Sequence, residues 1–475
     1  MSTTVIISMA TIGAILLTLI PTYIISYKTK KSETTTMSDW AIADRSLPIY
    51  VVVGTQFATA MGGGVLVGQV GICATSGVGY ILYGVMAACP FLLLTTIAKW
   101  LRKNNFVTVP DIIGKFTNDN KVIKVFAGIM SLIVPFGWFS SQLTAFATIY
   151  SILTGMDYAL LIIVFAFMSL LFVMPAGLKT VAWTDFIFAC FMCVCCIACL
   201  FQITSMGGGL GQIVANLNAQ DPNLLNFSGS LKHNIGFTTA ILWIFSVLPG
   251  GMTNQCYYQR ICAIDDDKKV NKSLLITALT ILLVVAWTVY MGTSIRSINP
   301  DAGNNATAWF MGQLPVPFMA IFAALIVATM MSTASSGAQT TVTNITHDIV
   351  PVFVPRMDDK RMLKLSRILT LVLVFVGIFV ALVVPNIMTQ IVATYAFSAA
   401  TLGCPVFVSY AFRKKNIITT PGIAAGMIGG VVGVAAGMIF KAPISYAAVG
   451  MGVSLVAMLV VCALTRNKDV VVLED

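Results

Sequence analysis

The stretch "GTQFATAMGGGVLVGQ", Gly54 to Gln69, places three consecutive glycines in the middle of an apolar run. Glycine disfavours helix, so the run predicts a helix interrupted at Gly62–Gly64. An interruption frees the backbone carbonyls of residues 58–61, whose usual partners are the amides four residues later. Ala58 and Met61 are three residues apart, so their carbonyls point to one side and offer oxygen ligands to a small cation.

The composition predicts that this chain lies in a lipid bilayer. Of its 475 residues, 58% are hydrophobic and 10% are charged, and the mean hydropathy is +0.91, which indicates an integral membrane protein rather than a soluble globule. We count thirteen apolar stretches of roughly 20 residues, the length that crosses a bilayer. Their approximate centres lie near residues 16, 60, 88, 137, 165, 192, 245, 283, 328, 373, 396, 429 and 453.

The basic residues predict the orientation. With the N-terminus outside and the C-terminus in the cytoplasm, only Lys232, Arg296 and Lys441 lie outside, which leaves 25 of the 28 lysines and arginines on the cytoplasmic side. This asymmetry accounts for the net charge of +10 without a nucleic-acid partner. We therefore expect a multi-pass protein of the plasma membrane, with the lipid bilayer as its surroundings.

A second interruption is expected in "ILWIFSVLPGGMTNQ", Ile241 to Gln255, at Pro249–Gly251. The two interrupted spans are five spans apart and would cross the membrane in opposite directions, as in an inverted repeat. Close helix packing at glycine is the alternative for either break alone. The predicted order is a first helix (1–30), two five-helix repeats (48–205 and 233–411), two further helices (418–466) and a cytoplasmic tail (467–475).

Hydroxyl side chains crowd the ninth span, in "MMSTASSGAQTT", Met330 to Thr341. Helical spacing puts Thr329, Ser332, Ser335 and Ser336 on one face, with Thr333 beside them. Hydrogen bonding between helices is one reading of this face. Together with the freed carbonyls, the hydroxyls would alternatively form a cage of neutral oxygens, which suits Na⁺ better than a divalent ion.

Asp185, in "VAWTDFIFACF", is the acidic residue that lies well inside an apolar span. A carboxylate at membrane depth is a functional candidate that needs a partner. The sequence predicts no arginine or lysine inside the central spans, so the partner would be a cation, or the group would be a protonated, hydrogen-bonded carboxyl.

Several motifs resemble the sodium/solute symporter family with its LeuT-type core. They are "DWAIADRSLP" (Asp39–Pro48), "AGLKTVAWTDFI", "YYQRICA", the hydroxyl-rich ninth span continuing to "THDI", and "YAFSAATLGCPVF". The resemblance is to bacterial proline-, pantothenate- and sialate-type members. It implies an all-α membrane protein with thirteen transmembrane helices, built as a five-plus-five inverted repeat with discontinuous helices.

The resemblance also implies a function: a secondary active symporter, not an enzyme, that imports a small organic solute such as an amino acid or carboxylate by alternating access, driven by sodium ions. It implies a first Na⁺ site formed by Ala58, Met61, Thr329, Ser332 and Thr333. Some members have a second site, which here would be Asp185, Ser332, Ser335 and Ser336. We expect a functional monomer.

The solute is expected between the two breaks and the fourth span. The predicted contacts are Gln56, Gly62, Gly63, Trp138, Ser141, Gln142, Trp243, Phe245 and Ser246. Phe188 and Ala60 replace residues that are polar in some members, and Ala60 stands where proline-type members have an acid, which argues against proline. A proton-coupled carrier that uses Asp185 and a solute sensor that does not transport are the alternative functions, while a channel would need a filter loop that the sequence lacks.

Overall fold

A computed structural model describes residues 37–173, 177–415 and 417–466, together with isolated positions between residues 5 and 27. The predicted first helix lies almost entirely outside the described residues, and the tail 467–475 lies wholly outside them. Within the described part the chain is helical, and each predicted span from the second to the thirteenth coincides with a helix. The helical fold is thus the one that the composition predicts.

One set of helices coincides with the predicted spans, some of which are divided into two or more pieces. Their bounds are Ile49–Ala60, Val70–Ser76, Ile81–Leu94, Lys121–Ser131, Ile133–Thr154, Tyr158–Val173, Leu178–Met206, Phe237–Met252, Val270–Ile298, Val316–Asn344, Asp359–Val383, Ile387–Ser398, Cys404–Ala411, Thr420–Ile439 and Tyr446–Leu464. Helices between or next to these spans are Ala98–Lys103, Val109–Phe116, Leu210–Gln220, Gln255–Ala263 and Ala306–Gly312. Among the described residues, nine helical segments are long and apolar enough to cross a membrane, or ten when one bent pair is counted. The count of thirteen stays a prediction.

The helix Val316–Asn344, which we call the hydroxyl helix, runs through the centre of the bundle. All of its residues from Ile326 to Asn344 are buried. It packs against the helices Ile49–Ala60, Ile133–Thr154 and Leu178–Met206, and so its serines and threonines face other helices rather than lipid. By contrast, the helix Asp359–Val383 exposes Phe375 and Phe379, as expected of a peripheral helix in contact with lipid.

The first predicted interruption is present. The helix ends at Ala60, Met61 leaves the helical conformation with ψ 20°, and a wide π-helical turn, Gly64–Gln69, follows. The amide of Val65 donates to the carbonyl of Gly62 at 3.0 Å instead of reaching back to Met61. The break therefore lies at Met61–Gly63, one residue before the predicted position.

The second interruption is displaced from its predicted place. Helix Phe237–Met252 continues through Pro249–Gly251, and the break follows at Thr253 and Asn254. Gly250 serves packing, because a Cβ atom there would lie 2.4 Å from the backbone carbonyl oxygen of Tyr395. The alternative reading of these glycines, close helix contact, thus describes Gly250, and the expectation of a break at Pro249–Gly251 is wrong.

Backbone hydrogen bonds tie the two interrupted helices together. The amide of Leu47, just before the first helix, donates to the carbonyl of Ala263 at 3.0 Å, and the amide of Asp265 donates to Leu47 at 3.1 Å. The start of the first interrupted helix thus lies beside the end of the second. The opposite directions of the two helices, which an inverted repeat requires, stay a prediction.

Candidate functional site

The interruption at Met61–Gly63 brings backbone oxygens of one helix to a hydroxyl of another. The hydroxyl oxygen of Thr333 lies 3.5 Å from the carbonyl oxygen of Ala58, 3.3 Å from that of Thr59 and 3.1 Å from that of Thr329. The contact with Thr329 is one that any helical threonine can make within its own helix. The other two join the hydroxyl helix to the interrupted helix, and we call this set of four oxygens the oxygen cluster.

The spacing of these oxygens matches ligands around a small cation better than strong hydrogen bonds. Separations of 3.3 and 3.5 Å from Thr333 to the interrupted helix are long for a hydroxyl donor. Oxygens placed about 2.3–2.6 Å from one hard cation in octahedral geometry stand roughly 3.3–3.7 Å apart. The carbonyl of Thr59 lacks its usual helical donor, because the amide of Gly63 donates at 2.7 Å to Oε1 of Gln142. The cluster can therefore accept a cation without losing a regular helical bond at Thr59.

Three of the five residues predicted for the first sodium site meet here, namely Ala58, Thr329 and Thr333. Thr59 adds an oxygen that the sequence analysis did not include. The hydroxyl of Ser332 is turned elsewhere and donates to Asp185. The carbonyl of Met61 does not accept from the amide of Val65, because that amide donates to Gly62. The side chain of Met61 lines a separate apolar pocket.

Asp185 lies at the centre of a second polar cluster and is fully buried. One carboxylate oxygen accepts from Ser332. The other accepts from Thr55 at 2.5 Å and from Ser336 at 3.3 Å. Ser335, predicted for the same site, is buried with no hydrogen-bond partner for its hydroxyl among the described residues. The structure thus gathers Asp185, Ser332 and Ser336, and it adds Thr55.

Arg260 also reaches this cluster. It lies in the short helix Gln255–Ala263, is 1% exposed, and places Nη2 3.8 Å from a carboxylate oxygen of Asp185. The same nitrogen lies 3.1 Å from the hydroxyl of Thr55, 2.9 Å from that of Thr59 and 3.0 Å from that of Ser336. The expectation that no arginine enters the central spans is wrong.

This arginine changes the electrostatics of the predicted second sodium site. Burying a carboxylate without an opposite charge is energetically costly. The guanidinium of Arg260 provides that positive charge nearby, and the two groups are bridged by hydroxyls that contact both of them. A sodium ion beside Asp185 would have to approach that guanidinium. The charge argument for a second Na⁺ therefore does not hold in this arrangement.

A small cavity of about 70 Å³ adjoins the oxygen cluster. Thr59, Gly62 and Thr333 line it on the ion side. Trp138, Tyr83, Tyr257 and Tyr395 supply aromatic walls, and Gln69, Ser141 and Gln142 supply polar groups. Among the described residues, no charged side chain lines this cavity.

The predicted solute contacts divide into two sets. Gly62, Trp138, Ser141 and Gln142 line the cavity, whereas the other five predicted residues do not. Gln56 accepts a hydrogen bond from Thr277, and Trp243 packs edge-on against Tyr80 and Tyr83. The side chain of Phe245 is exposed, and the hydroxyl of Ser246 donates to the carbonyl of Leu242 in its own helix. A Cβ atom at Gly63 would lie 2.3 Å from Cβ of Ala145, so this glycine faces a neighbouring helix. These five residues lie outside this cavity, so their contact with the solute stays a prediction that the cavity does not support.

Sequence reasoning missed Thr55, Thr59, Arg260 and the three tyrosines of the cavity. Thr55 and Thr59 lie four residues apart on the interrupted helix, at the spacing that faces one neighbour, which is a usable signal. Arg260 is surrounded by "CYYQ" and "ICA", so its apolar flanks were a second signal. The tyrosines carry no comparable mark, because most aromatic residues in spans serve packing.

Known proteins resemble this chain in sequence and in structure. A high-affinity proline transporter, PutP, of Bacillus subtilis (strain 168) is 24% identical over 234 residues, which is 46% of this chain and 46% of that protein. The aligned part thus spans about half the length of this curated relative.

Solved structures share the fold. A Na⁺-coupled sialic acid symporter, in a substrate-bound outward-open state, superposes with a TM-score of 0.84 at 16% identity and 99% coverage of both chains. Mhp1, a nucleobase-cation-symport-1 family transporter in a closed conformation, gives 0.56 at 13% identity, covering 90% of this chain and 94% of that one. MhsT in complex with L-phenylalanine gives 0.54 at 10% identity, covering 88% and 98%.

The profile of the sodium:solute symporter family matches residues 40–430. This match confirms the resemblance seen in the sequence motifs, and it implies that sodium is the ion used. Because the matched region covers most of the chain, this protein belongs to the sodium:solute symporter family.

Proposed function

We propose that this protein is a sodium-coupled symporter that imports a small organic solute by alternating access. The observation that carries the proposal is that Thr333 belongs to both the oxygen cluster and the wall of the cavity. Gly62 lies between the two, since a Cβ there would be 2.5 Å from the hydroxyl of Thr333 and 2.8 Å from Oε1 of Gln142. An ion and a solute bound here would share the same short piece of backbone.

Shared backbone gives a direct means of coupling. A sodium ion among the carbonyls of Ala58, Thr59 and Thr329 and the hydroxyl of Thr333 would draw the interrupted helix to the hydroxyl helix. That contact would fix the position of Gly62 and of the Gln142 amide, which together form one side of the cavity. Solute binding would then cost less ordering when sodium is present, and by linkage the solute would raise the affinity for sodium.

The cavity favours a small amino acid as the solute. Its volume of about 70 Å³ has room for only a few non-hydrogen atoms without rearrangement. Because the described lining residues are uncharged, the solute's carboxylate would bind near the backbone amide of Gly64, where the helix resumes at a positive helix end. The aromatic rings of Trp138, Tyr257 and Tyr395 would then accommodate an ammonium group and a small apolar body.

We further propose a stoichiometry of one sodium ion per solute. The oxygen cluster carries no fixed charge, whereas the charge of Asp185 is already opposed by Arg260 at 3.8 Å. The pair and its bridging hydroxyls, Thr55 and Ser336, come from four helices and would hold them in register beside the proposed sodium site. The hydroxyl of Ser335 is buried and has no hydrogen-bond partner in the described part of the chain, so it would be a further ligand for an ion if Arg260 moved away.

The arrangement in the membrane completes the proposal. The distribution of lysine and arginine supports an external N-terminus and a cytoplasmic C-terminus in the plasma membrane. The contact between the start of the first interrupted helix and the end of the second supports the two inverted repeats at 48–205 and 233–411. The ion and solute sites lie within one chain, so a monomer suffices for transport.

Proton coupling through Asp185 is the competing function. Three hydroxyls donate to its carboxylate and a guanidinium lies beside it, all of which stabilise the ionised form. A proton carrier would need to lose these contacts in each cycle. Uptake of labelled amino acids into proteoliposomes, driven by a sodium gradient or by a proton gradient alone, separates the two functions.

Thr333→Val removes one oxygen of the cluster and keeps the shape of the side chain. Losing one hydroxyl ligand to a cation, worth about 1.5 kcal/mol or more, should raise the sodium concentration for half-maximal uptake at least about tenfold. Thr341→Val is the matched control, because the hydroxyl of Thr341 bonds only the carbonyl of Gly337 in its own helix. Equal sodium dependence in the wild type and Thr333→Val would place the ion elsewhere.

Gln142→Met tests the cavity. The substitution keeps the length of the side chain but removes the acceptor for the amide of Gly63 and a polar group of the cavity. We expect solute affinity, measured by binding in saturating sodium, to fall at least about tenfold, since a polar contact to a charged solute is worth about 1.5–3 kcal/mol. Gln390→Met, on a neighbouring helix and outside the cavity, should leave affinity within about twofold. Unchanged affinity in Gln142→Met would remove the solute from this cavity.

A double-mutant cycle tests the ion pair. Arg260→Gln alone leaves Asp185 buried without its countercharge, which should cost about 3–5 kcal/mol and lower the melting temperature of the purified protein. In Arg260→Gln, sodium should stabilise the protein more than it does in the wild type, because the carboxylate without its countercharge then attracts a cation. Combining Arg260→Gln with Asp185→Asn should restore most of the lost stability and abolish the extra sodium effect. Additive losses in the double variant would show that the two groups do not interact.

A further inference from the structure

Three side chains that bind metals meet at the far end of the hydroxyl helix. Asp111, His347 and Asp348 each offer one ligand atom, and the three atoms lie within 4.8 Å of one another. Asp111 belongs to the connecting helix Val109–Phe116, while His347 and Asp348 lie in the π-helical turn Ile345–Ile349 that extends the hydroxyl helix. Residues from two separate elements thus converge on one point, away from the sodium and solute sites.

Hydrogen bonds hold the acids in fixed positions. Oδ2 of Asp111 lies 3.1 Å from Nε2 of His347 and accepts from the amides of Val107 and Thr108, both at 3.2 Å. Thr108 in turn donates through its hydroxyl to Oδ1 of Asp348 at 2.7 Å. The ammonium group of Lys124 lies 3.4 Å from the other oxygen of Asp111, Oδ1. The ligands are therefore positioned before any ion arrives.

One atom of this group lacks a partner. Asp348 is fully buried, and its Oδ2 has no hydrogen-bond partner among the described residues. A buried carboxylate oxygen without a donor is unfavourable and points to a cation that would use it. The ammonium group of Lys124 is not the partner of this oxygen, since it contacts Oδ1 of Asp111 instead.

We propose that Asp111, His347 and Asp348 form a binding site for a divalent transition-metal ion of the Zn²⁺ type. One imidazole nitrogen and two carboxylate oxygens are a ligand set that Zn²⁺ accepts, with water in the fourth position. The side chain of His347 is 39% exposed, which leaves the site open to solvent and provides the path of entry. The two carboxylates oppose the charge of the ion, and the mixed nitrogen and oxygen ligands favour Zn²⁺ over Mg²⁺ or Ca²⁺.

A metal bound here would join two elements that are otherwise linked by side-chain hydrogen bonds. One is the helix Val109–Phe116, and the other is the extension of the helix that carries Thr329 and Thr333. If the transport proposal is right, this bridge would also slow transport by restraining the hydroxyl helix. Metal binding itself does not depend on that proposal and is measured without it.

The test is calorimetric titration of ZnCl₂ into the purified full chain without a histidine tag, at constant sodium concentration. The wild type should bind one Zn²⁺ with micromolar affinity, and His347→Ala should weaken that binding at least tenfold. The chain has two histidines, so His233→Ala is the matched control and should bind like the wild type. Asp348→Asn, which keeps the hydrogen bond from Thr108 within reach, should weaken binding as well. Melting temperatures of the four proteins without metal verify that each is folded.

Cobalt replaces zinc as a spectroscopic probe. Co²⁺ bound to wild type should give the visible bands of a tetrahedral site with nitrogen and oxygen ligands, and these bands should be absent in His347→Ala. Absence of Zn²⁺ binding to wild type, or equal binding by wild type and His347→Ala, would overturn the proposal. Strong thiolate absorption in the cobalt spectrum would overturn it too, because it would place the metal on cysteine.

Discussion

The interruption at Met61–Gly63 is the constraint on which the rest of the site depends. Within a membrane, every backbone polar group needs a partner inside the protein, and a broken helix leaves several carbonyls without their amides. Here Thr333 of the hydroxyl helix approaches the carbonyls of Ala58 and Thr59, and Gln142 takes up the amide of Gly63. One face of the break therefore carries the oxygens of the proposed ion site, and the other borders a cavity.

A second constraint is the burial of charge. Asp185 and Arg260 both contact the interrupted helix and are joined through the hydroxyls of Thr55 and Ser336. The arginine also bonds Thr59, whose carbonyl belongs to the oxygen cluster. The ion pair is thus connected to the oxygen cluster through one residue. In the proposed arrangement the acid would support the geometry of the oxygen cluster, while the neutral oxygens would receive the ion.

Much of this architecture could be predicted from local sequence. Apolar length identified the helices, the glycines of Gly62–Gly64 identified the first break, and helical spacing identified the hydroxyl face. The second break was misplaced because Pro249 and Gly250 look like helix breakers, whereas the helix tolerates them and uses Gly250 for contact with Tyr395. No arginine was expected inside the central spans, because hydropathy counts the charge of Arg260 but cannot show the buried carboxylate that compensates it. An ion pair between residues far apart in the sequence cannot be recognised from either segment alone.

The central claim is that one sodium ion, held by neutral oxygens, drives each solute across the membrane, while Arg260 balances Asp185. The most direct measurement is the reversal potential of solute flux in proteoliposomes, with set sodium and solute gradients and a varied membrane potential. For a zwitterionic amino acid, the account predicts a reversal potential that corresponds to one sodium ion and one positive charge per solute. A value that corresponds to two sodium ions per solute would contradict it and would return Asp185, Ser332 and Ser336 to the role of a second ion site.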